Sequence, residues 1–211
     1  MKLNKFEKSI AAYIGLGNLE RIQSVTVGIA GAGGLGSNCA ANLVRCGFKK
    51  LRLIDFDIVK GSNLNRQFYF SDQIGERKID ALAENLRRIN PDLELTLVFE
   101  KIIAENLVKM FEGCDIVAEA FDTAEDKSML VSMLAPAGKF IVSVSGIAGY
   151  ASTDLIKVHR ISENLVIIGD LESQAGCSLP PLSPRVAVAA AKQANVILKY
   201  TIEKKFKIDT K

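Results

Sequence analysis

The stretch GIAGAGGLGSNCAANLVRCG, residues 28–47, constrains the fold of this chain more than any other part of its sequence. A β-branched apolar segment runs into a cluster of glycines, and a helical pattern follows at once. Glycines between a strand and a helix permit a tight turn and let backbone N–H groups approach a phosphate at the positive end of the helix dipole. The glycines of this turn are Gly31, Gly33, Gly34 and Gly36. The stretch therefore predicts a nucleotide-binding unit. The alternative is a glycine turn whose only role is to allow the helix to pack closely against the strand.

The following sequence alternates short β-branched runs with longer amphipathic segments, which is typical of βαβ units around a parallel sheet. Strands are predicted at residues 24–31, 50–55, 93–100, 115–121 and 139–146. Helices are predicted at residues 35–46, 76–90, 104–112 and 124–135. The predicted fold is therefore α/β and Rossmann-like, with a mostly parallel sheet and helices on both faces.

The pattern changes after residue 146. The segments YASTDLIKVHRI and ENLVIIGD predict two further strands, antiparallel to each other, and a polar loop then leads to a last helix at residues 185–200. Pro184 suits the first turn of that helix. The expected architecture is one domain, residues 1–211, whose parts are an N-terminal helical segment (1–23), a Rossmann-like core (24–146) and a C-terminal extension (147–211).

Composition argues against several classes of protein. With 211 residues, 48% of them hydrophobic, the chain can bury a full core. No apolar run reaches the roughly 18 to 20 residues of a membrane-spanning helix, and the N-terminus lacks the apolar centre of a signal peptide. We therefore expect a cytoplasmic protein that does not engage a membrane. The net charge of +3 is too small to indicate a nucleic-acid partner.

The cysteines and the histidine carry little chemistry in this reading. None of the four cysteines falls in a C-x-x-C pair, so neither a zinc site nor a disulfide framework is predicted. Cys39, Cys46 and Cys114 are expected to pack in the core. His159, the single histidine, is expected at a solvated position on a strand.

Asp55 ends the second predicted strand, roughly 20 residues after the glycine turn, where an acidic side chain holds a ribose hydroxyl in folds of this kind. The turn and this carboxylate together favour nucleotide binding over a packing role for the glycines. NAD and ATP fit the pair equally well.

The segment DFDIVKGSNLNRQFYF, residues 55–70, favours ATP, because a long loop stands where a dehydrogenase has a short turn into the next helix. Arg66 offers a fork of donors to phosphate or carboxylate oxygens, and Asn63 can orient a phosphate or a carboxy terminus. Gln67 lies in the same loop, and Lys78 at the next helix adds a mobile charge. Together they predict a triphosphate site.

Asp122, in the segment EAFDTAED, follows the fourth predicted strand. Ligands of open α/β sheets bind outside the carboxyl ends of the strands, and a carboxylate there can hold Mg²⁺. For Arg66, Lys78 and Asp122 the alternative is an ordinary solvated position, where an ion pair contributes only about 0–1 kcal/mol.

In the order GAGGLGS, LIDFDIV, SNLNRQ, INPD and the Asp122 segment, these motifs resemble the ThiF/MoeB-like adenylyltransferases, relatives of the ubiquitin-activating enzymes. The resemblance covers most of the chain. It implies an ATP-binding set of Gly31, Gly33, Gly34, Gly36, Asp55, Asp57, Asn63, Arg66, Gln67 and Lys78. It also implies that Asp122 serves Mg²⁺ and the reacting carboxylate, so that Arg66, Lys78 and Asp122 are the catalytic candidates.

Within that family the sequence is most similar to the short ThiF-type proteins of bacterial thiamine synthesis. These activate the C-terminal glycine of a small ubiquitin-like sulfur carrier ending in Gly-Gly. The implied reaction is attack of a carboxylate on the α-phosphate of ATP, with Mg²⁺, giving an acyl-adenylate and pyrophosphate. Family members commonly dimerise, so the resemblance also implies a homodimer.

The sequence departs from the family pattern at two places, and a third position, Cys177, has two interpretations. The two C-x-x-C pairs that bind zinc in longer members are absent, so zinc is not expected. Many members place an arginine of an N-terminal helix in the partner's site. This chain has only lysines as basic residues before Arg21, and Lys8 could replace that arginine as a charge without its bidentate geometry. Cys177 lies near where sulfur-transferring members have a reactive cysteine, and it is either a covalent site or incidental.

Three other functions stay open at this point. The same chemistry can serve another acceptor, such as a molybdopterin-type carrier, a peptide or a tRNA carboxylate. A nicotinamide-binding oxidoreductase accounts for the glycine turn and Asp55 but not for Arg66, Lys78 and Asp122. A binding module without catalysis predicts nucleotide or carrier binding without pyrophosphate exchange.

Overall fold

A computed structural model describes residues 3–176 and 178–203, which form one seven-stranded sheet with helices packed against it. The strands are β1 (Thr26–Ala30), β2 (Lys50–Ile54), β3 (Glu94–Val98), β4 (Ile116–Glu119), β5 (Phe140–Val144), β6 (Lys157–Arg160) and β7 (Leu165–Gly169). The helices are α1 (Lys5–Ile14), α2 (Leu16–Ser24), α3 (Gly34–Arg45), α4 (Lys78–Arg87), α5 (Ala104–Met110), α6 (Ala124–Leu134) and α7 (Ser183–Glu203).

The sheet has the strand order β3-β2-β1-β4-β5-β7-β6. All neighbouring strands run parallel except β6, which pairs antiparallel with β7. The predicted α/β Rossmann-like fold, with its C-terminal antiparallel extension, is confirmed. The strand order changes direction between β1 and β4, and a crevice opens there outside the carboxyl ends of the strands.

Helices cover both faces of the sheet because its central strands are apolar on both sides. Successive residues of a strand point to opposite faces, so Phe140 and Val142 join one core while Ile141 joins the other. Helices α3, α4 and α7 contribute to the first core, and α5 and α6 contribute to the second. Continuous β-branched runs are the sequence pattern that strands buried on both faces require.

The N-terminal segment folds into two helices rather than one. Asn4 and Glu7 form a capping box at the start of α1, in which each side chain accepts the other residue's backbone N–H. Gly15, at φ +84°, separates α1 from α2. Glu7 is buried and pairs with Lys49, with 3.1 Å between its Oε1 and the lysine Nζ. These contacts hold the N-terminal helices against the body of the protein.

Several boundaries differ from the prediction for local reasons. Helix α4 begins at Lys78 instead of residue 76, because Val59 N–H donates to the Glu76 carbonyl and fixes that residue in an extended pairing. The predicted strand over residues 150–161 is shortened to β6. Its first half contains the 3₁₀ turn Thr153–Leu155, which the Ser152 hydroxyl caps. Among the described residues, no helix combines the length and apolar character needed to cross a membrane.

Candidate nucleotide-binding site

The glycine turn between β1 and α3 has a backbone path that side chains would block. Gly31 adopts φ +98°, and a Cβ on Gly36 would lie 1.8 Å from the carbonyl oxygen of Gly31. None of the described side chains caps the first turn of α3, whose N-cap is Gly33. The N–H groups of that turn are therefore available to an anion at the positive end of the helix dipole.

Two side chains from outside the turn hold it in place. The Asp55 carboxylate accepts the Ala32 N–H through Oδ2 at 2.6 Å and the Asp57 N–H through Oδ1 at 2.7 Å. The Tyr69 hydroxyl donates to the Ala32 carbonyl at 2.7 Å. Burial, reinforced by the nearby carboxylates of Asp55 and Asp57, raises the pKa of Tyr69, so the phenol stays a neutral donor. The predicted ribose-binding carboxylate thus also positions the glycine turn.

Lys78 and Asp57 form an ion pair at the start of α4. The Lys78 Nζ lies 2.7 Å from Asp57 Oδ2, and the lysine side chain is only 7% exposed while that of the aspartate is 45% exposed. The Lys78 N–H also donates to the Asp57 carbonyl. The ammonium group is thereby held at the crevice with a solvent-accessible counterion, which an incoming phosphate could replace.

The long loop after β2 brings Asn63, Arg66 and Gln67 to the glycine turn. Arg66 packs across Gly34, and its Nη1 donates to the Asn65 carboxamide oxygen at 2.7 Å. The Asn63 carboxamide oxygen accepts the Lys60 N–H, which leaves its amide group to the cleft. Gln67 is 9% exposed, and its Oε1 has no hydrogen-bond partner among the described residues. This buried acceptor is an exception to the rule that buried polar atoms are hydrogen-bonded.

A single cleft of about 700 Å³ collects nearly all the predicted nucleotide-binding residues. Its lining includes Gly31, Gly33, Gly34, Asp55, Asp57, Asn63, Arg66, Gln67, Lys78 and Asp122. Gly36 lies behind the turn and acts through its lack of a side chain. The volume falls within the range of small-molecule and cofactor sites.

Asp122 lines the same cleft as the two cations and lies just beyond β4. It is exposed, and none of the described residues pairs with it. The next residue, Thr123, caps α6 by accepting the Asp126 N–H. Within the described part of the chain, no three His, Cys, Asp or Glu side chains are grouped to hold a metal ion. The donor set fits Mg²⁺, which is commonly held by one or two carboxylates together with water and phosphate oxygens.

A buried ion pair that the sequence did not reveal supports the part of the cleft that carries Asp122. Glu119, at the end of β4, is fully buried, and its carboxylate oxygens lie 3.0 and 3.3 Å from Lys127 Nζ. The Ser143 hydroxyl donates to the same carboxylate, and Lys127 also donates to the Phe121 carbonyl at 2.6 Å. Lys127 lines the cleft but already has three acceptors. It therefore orders the chain around Asp122.

Helix α7 also stabilises the part of the cleft that carries Asp122. The Gln193 carboxamide donates to the Glu119 carbonyl at 2.8 Å and to the Val142 carbonyl at 2.7 Å, bridging the end of β4 and the middle of β5. An acidic residue within a buried apolar strand is the signal by which Glu119 could have been found in the sequence. Its partners Ser143 and Gln193 have no local signal, because they come from distant elements.

The described cysteines and the histidine do not enter the cleft lining. Burial raises the pKa of Cys39, Cys46 and Cys114, so their thiols are poor nucleophiles at neutral pH. His159 lies on β6 as predicted, but it is half-buried, and its Nε2 lies 3.1 Å from the Gly169 carbonyl oxygen. Cys177 lies outside the described residues.

Comparison with known proteins gives both a family and a fold. Residues 6–208 match the ThiF family. Ubiquitin-like modifier-activating enzyme 5 of Arabidopsis thaliana is 47% identical over 78 residues, which are 37% of this chain and 18% of the plant protein. The matched part is thus less than a fifth of that relative's length.

Two solved structures have the same fold over almost the whole chain. E. coli tRNA N6-threonylcarbamoyladenosine dehydratase in complex with ATP has a TM-score of 0.84 at 22% identity and covers 94% of each chain. E. coli MccB with ATP has a TM-score of 0.71 at 21% identity, covering 95% of this chain and 64% of MccB. At these identities the similarity establishes the fold alone.

Proposed function

The chain belongs to the ThiF family, and from that premise we propose that it is an ATP-dependent adenylyltransferase. Members of this family are ATP-using adenylyltransferases. The proposed acceptor is the C-terminal glycine of a ubiquitin-like sulfur carrier ending in Gly-Gly, and the proposed process is thiamine synthesis. The relatives that activate ubiquitin-like modifiers support an acceptor of this class.

One observation carries the proposal: Arg66, Lys78 and Asp122 line the same cleft as the glycine turn. A dinucleotide site uses the turn and Asp55, but it has no role for two cations and a further carboxylate in the same cleft. A triphosphate with Mg²⁺ uses all of them. The uncapped start of α3 also fits a phosphate-bearing ligand.

In the proposed reaction a carboxylate oxygen of the acceptor attacks the α-phosphorus of ATP. A new carboxyl–phosphate bond forms, the bond to the β-phosphate breaks, and pyrophosphate leaves with the electron pair. The protein aligns the two anions and reduces their repulsion, through Arg66 and through Lys78 when a phosphate replaces Asp57 beside it. Asp122 would hold Mg²⁺, which when bound supplies further positive charge at the phosphate oxygens.

A second acceptor is supported by one observation. The E. coli tRNA-modifying dehydratase has the same fold over 94% of this chain and 94% of its own. The second candidate function is therefore adenylation of a carboxylate on a modified tRNA. The homodimer also stays a prediction. The same holds for the role of Lys8 as a cation in the site of the partner subunit.

Pyrophosphate exchange into ATP tests the proposal. We expect exchange with Mg²⁺ and an intact carrier ending in Gly-Gly, and none with a carrier that lacks its last glycine. Arg66→Ala should reduce exchange about 100-fold, because a preorganised donor to developing charge is lost. Arg87→Ala, an exposed arginine outside the cleft, is the matched control. Exchange with modified tRNA alone would favour the second acceptor, and ATP binding without exchange would favour a binding module.

A further inference from the structure

Arg185, in the first turn of α7, is the largest fully buried side chain among the described residues, with 1% exposure. A buried guanidinium is costly unless its donors are matched by acceptors. Arg185 does not line the cleft, although its neighbour Val186 does. Its contacts therefore show what this buried charge holds together.

Those contacts join two separate loops. Nη1 donates to the Ala151 carbonyl at 2.9 Å and the Ser152 carbonyl at 2.8 Å, in the loop that follows β5. Nη2 donates to Asp170 Oδ2 at 2.5 Å, at the start of the loop that follows β7. A planar fork of donors suits this bridging, which the single ammonium of a lysine does not reproduce.

The bridge continues to the surface of the cleft. Asp170 Oδ1 accepts the N–H groups of Glu172 and Ser173 at 2.9 and 2.8 Å. The Ser173 hydroxyl in turn accepts the Ala148 N–H at 3.1 Å. Leu171 is held at φ +65°, an unusual backbone conformation for a residue with a side chain. The two loops are thus locked to each other, and Ala148 and Ser173 both line the cleft.

This part of the cleft differs chemically from the glycine-turn side. Among the described residues, the side chains that these loops contribute to the lining are uncharged, and they include Ile147, Ala148, Ser173, Gln174 and Ala175. The cations Arg66 and Lys78 come from other elements. Phosphates therefore match the glycine-turn side, and an uncharged chain segment matches the wall formed by the two loops.

We propose that Arg185 is a positioning residue for the acceptor: by fixing the two loops, it sets the uncharged wall along which the acceptor's terminal segment lies. This inference rests on the proposed adenylyltransferase function. Arg185 then determines acceptor affinity and leaves ATP affinity unchanged. A purely structural Arg185 would change both affinities together or neither.

The kinetic test compares Arg185→Lys with Ser173→Ala, using the intact Gly-Gly carrier in pyrophosphate exchange. Arg185→Lys keeps the charge but loses the fork, and Ser173→Ala removes the acceptor of the Ala148 N–H together with the hydroxyl's hydrogen bond to Asp170. We expect the KM for the carrier to rise about tenfold in the first variant and about threefold in the second, with the KM for ATP within about twofold. Lys199→Gln, on the exposed surface of the same helix, is the control and should change neither constant. Equal changes in both KM values, or no change in either, would overturn the inference. If Arg185→Lys does not fold, the KM values of Ser173→Ala alone test it.

A second measurement separates failure of this inference from failure of the proposed function. Amide hydrogen exchange and Mg-ATP binding are followed in the same variants without any acceptor. Faster exchange at residues 146–149 and 171–176, with the Kd for Mg-ATP unchanged, supports the bridge between the loops. Unchanged exchange there overturns it. If the unaltered protein shows no pyrophosphate exchange with any carrier, the proposed function fails, and the acceptor role fails with it even where the bridge is confirmed.

Discussion

At the glycine turn, single atoms determine which residues the chain accepts. The Gly36 backbone passes so close to Gly31 that a methyl group would overlap its carbonyl oxygen. Gly17 offers a contrast, since a Cβ added there would meet no atom within 4 Å. Two glycines in two helices therefore have opposite physical roles.

Gly36→Ala should destabilise the protein by about 3 kcal/mol, because the added methyl forces the turn apart. Gly17→Ala should stabilise it by roughly 0.5–1 kcal/mol, because alanine favours an exposed helix position. Urea unfolding followed by circular dichroism measures both. Equal stability of Gly36→Ala and the parent would contradict the packing described for the turn.

Asp170 gives the stability a dependence on pH. Burial acts to raise its pKa, but hydrogen bonds from Ser173 and Glu172 and the charge of Arg185 outweigh burial, so the pKa of Asp170 lies below its ordinary value of 3.8. A carboxylate with a lowered folded-state pKa contributes its full stabilisation above its unfolded-state pKa, and the contribution is lost as the pH falls through the folded-state pKa.

The difference in unfolding free energy between the parent and Asp170→Asn should accordingly be constant from pH 7 to about pH 5. It should shrink below about pH 4. Urea titrations at each pH measure it. A difference that already disappears near pH 6 would show that another group is responsible.

At the scale of elements, the wall that carries Asp122 depends on a buried ion pair between the end of β4 and α6. Glu119 is fully buried, while Lys127 reaches it from the helix and is 20% exposed. The exposed pair of Lys199 and Glu203 on α7, 3.8 Å apart, is its natural comparison. Removing one partner of a buried pair leaves an uncompensated charge, whereas an exposed pair is replaced by water.

Glu119→Gln should therefore cost about 3 kcal/mol of stability and disorder the chain around Asp122. Glu203→Gln should have no measurable effect on urea unfolding. Glu119→Gln combined with Lys127→Met should recover part of the loss, since it removes the stranded ammonium. If the double variant recovers no stability, the unpaired charge of Lys127 is not the cause of the loss. The loss would then come from the backbone that the ion pair holds in place.

The sequence predicted those elements whose signals are local. The turn from β1 into α3 was predicted because an apolar run, a cluster of glycines and a helical pattern follow one another within one short stretch. The prediction that Asp55, Lys78 and Asp122 lie in one site was made because the carboxyl ends of parallel strands share one edge of the sheet. The contacts of Glu119 with Ser143 and of Asp170 with Arg185 were missed, because each joins residues far apart in the chain with no periodic pattern. The start of α4 was misplaced since a pairing between Val59 and Glu76 overrides helix propensity.

At the scale of the whole molecule, the fold is shared by proteins that bind different nucleotides, so ligand binding must be measured directly. Mg-ATP at about one hundred times its Kd should stabilise the folded state by about 2.7 kcal/mol, because ligand binds the folded state alone. NADH should not stabilise it. Thermal unfolding at increasing ligand concentrations gives both results, and Asp122→Asn with its matched control Asp72→Asn separates a specific site from general charge effects. Stabilisation by NADH would favour an oxidoreductase.

The strand order also sets the sequence of events as the protein forms. β1 obtains one neighbour from β2 early in the chain, but its other neighbour, β4, comes only after β3 and α5 have been made. Such distant pairings slow folding, since a long loop must close before any contact repays its entropy. Helix α7 is the last described element, and through Gln193 and Arg185 it ties together strands and loops that were synthesised well before it. During synthesis the glycine turn can therefore form on the ribosome, whereas the opposite side of the cleft becomes rigid only when α7 has emerged.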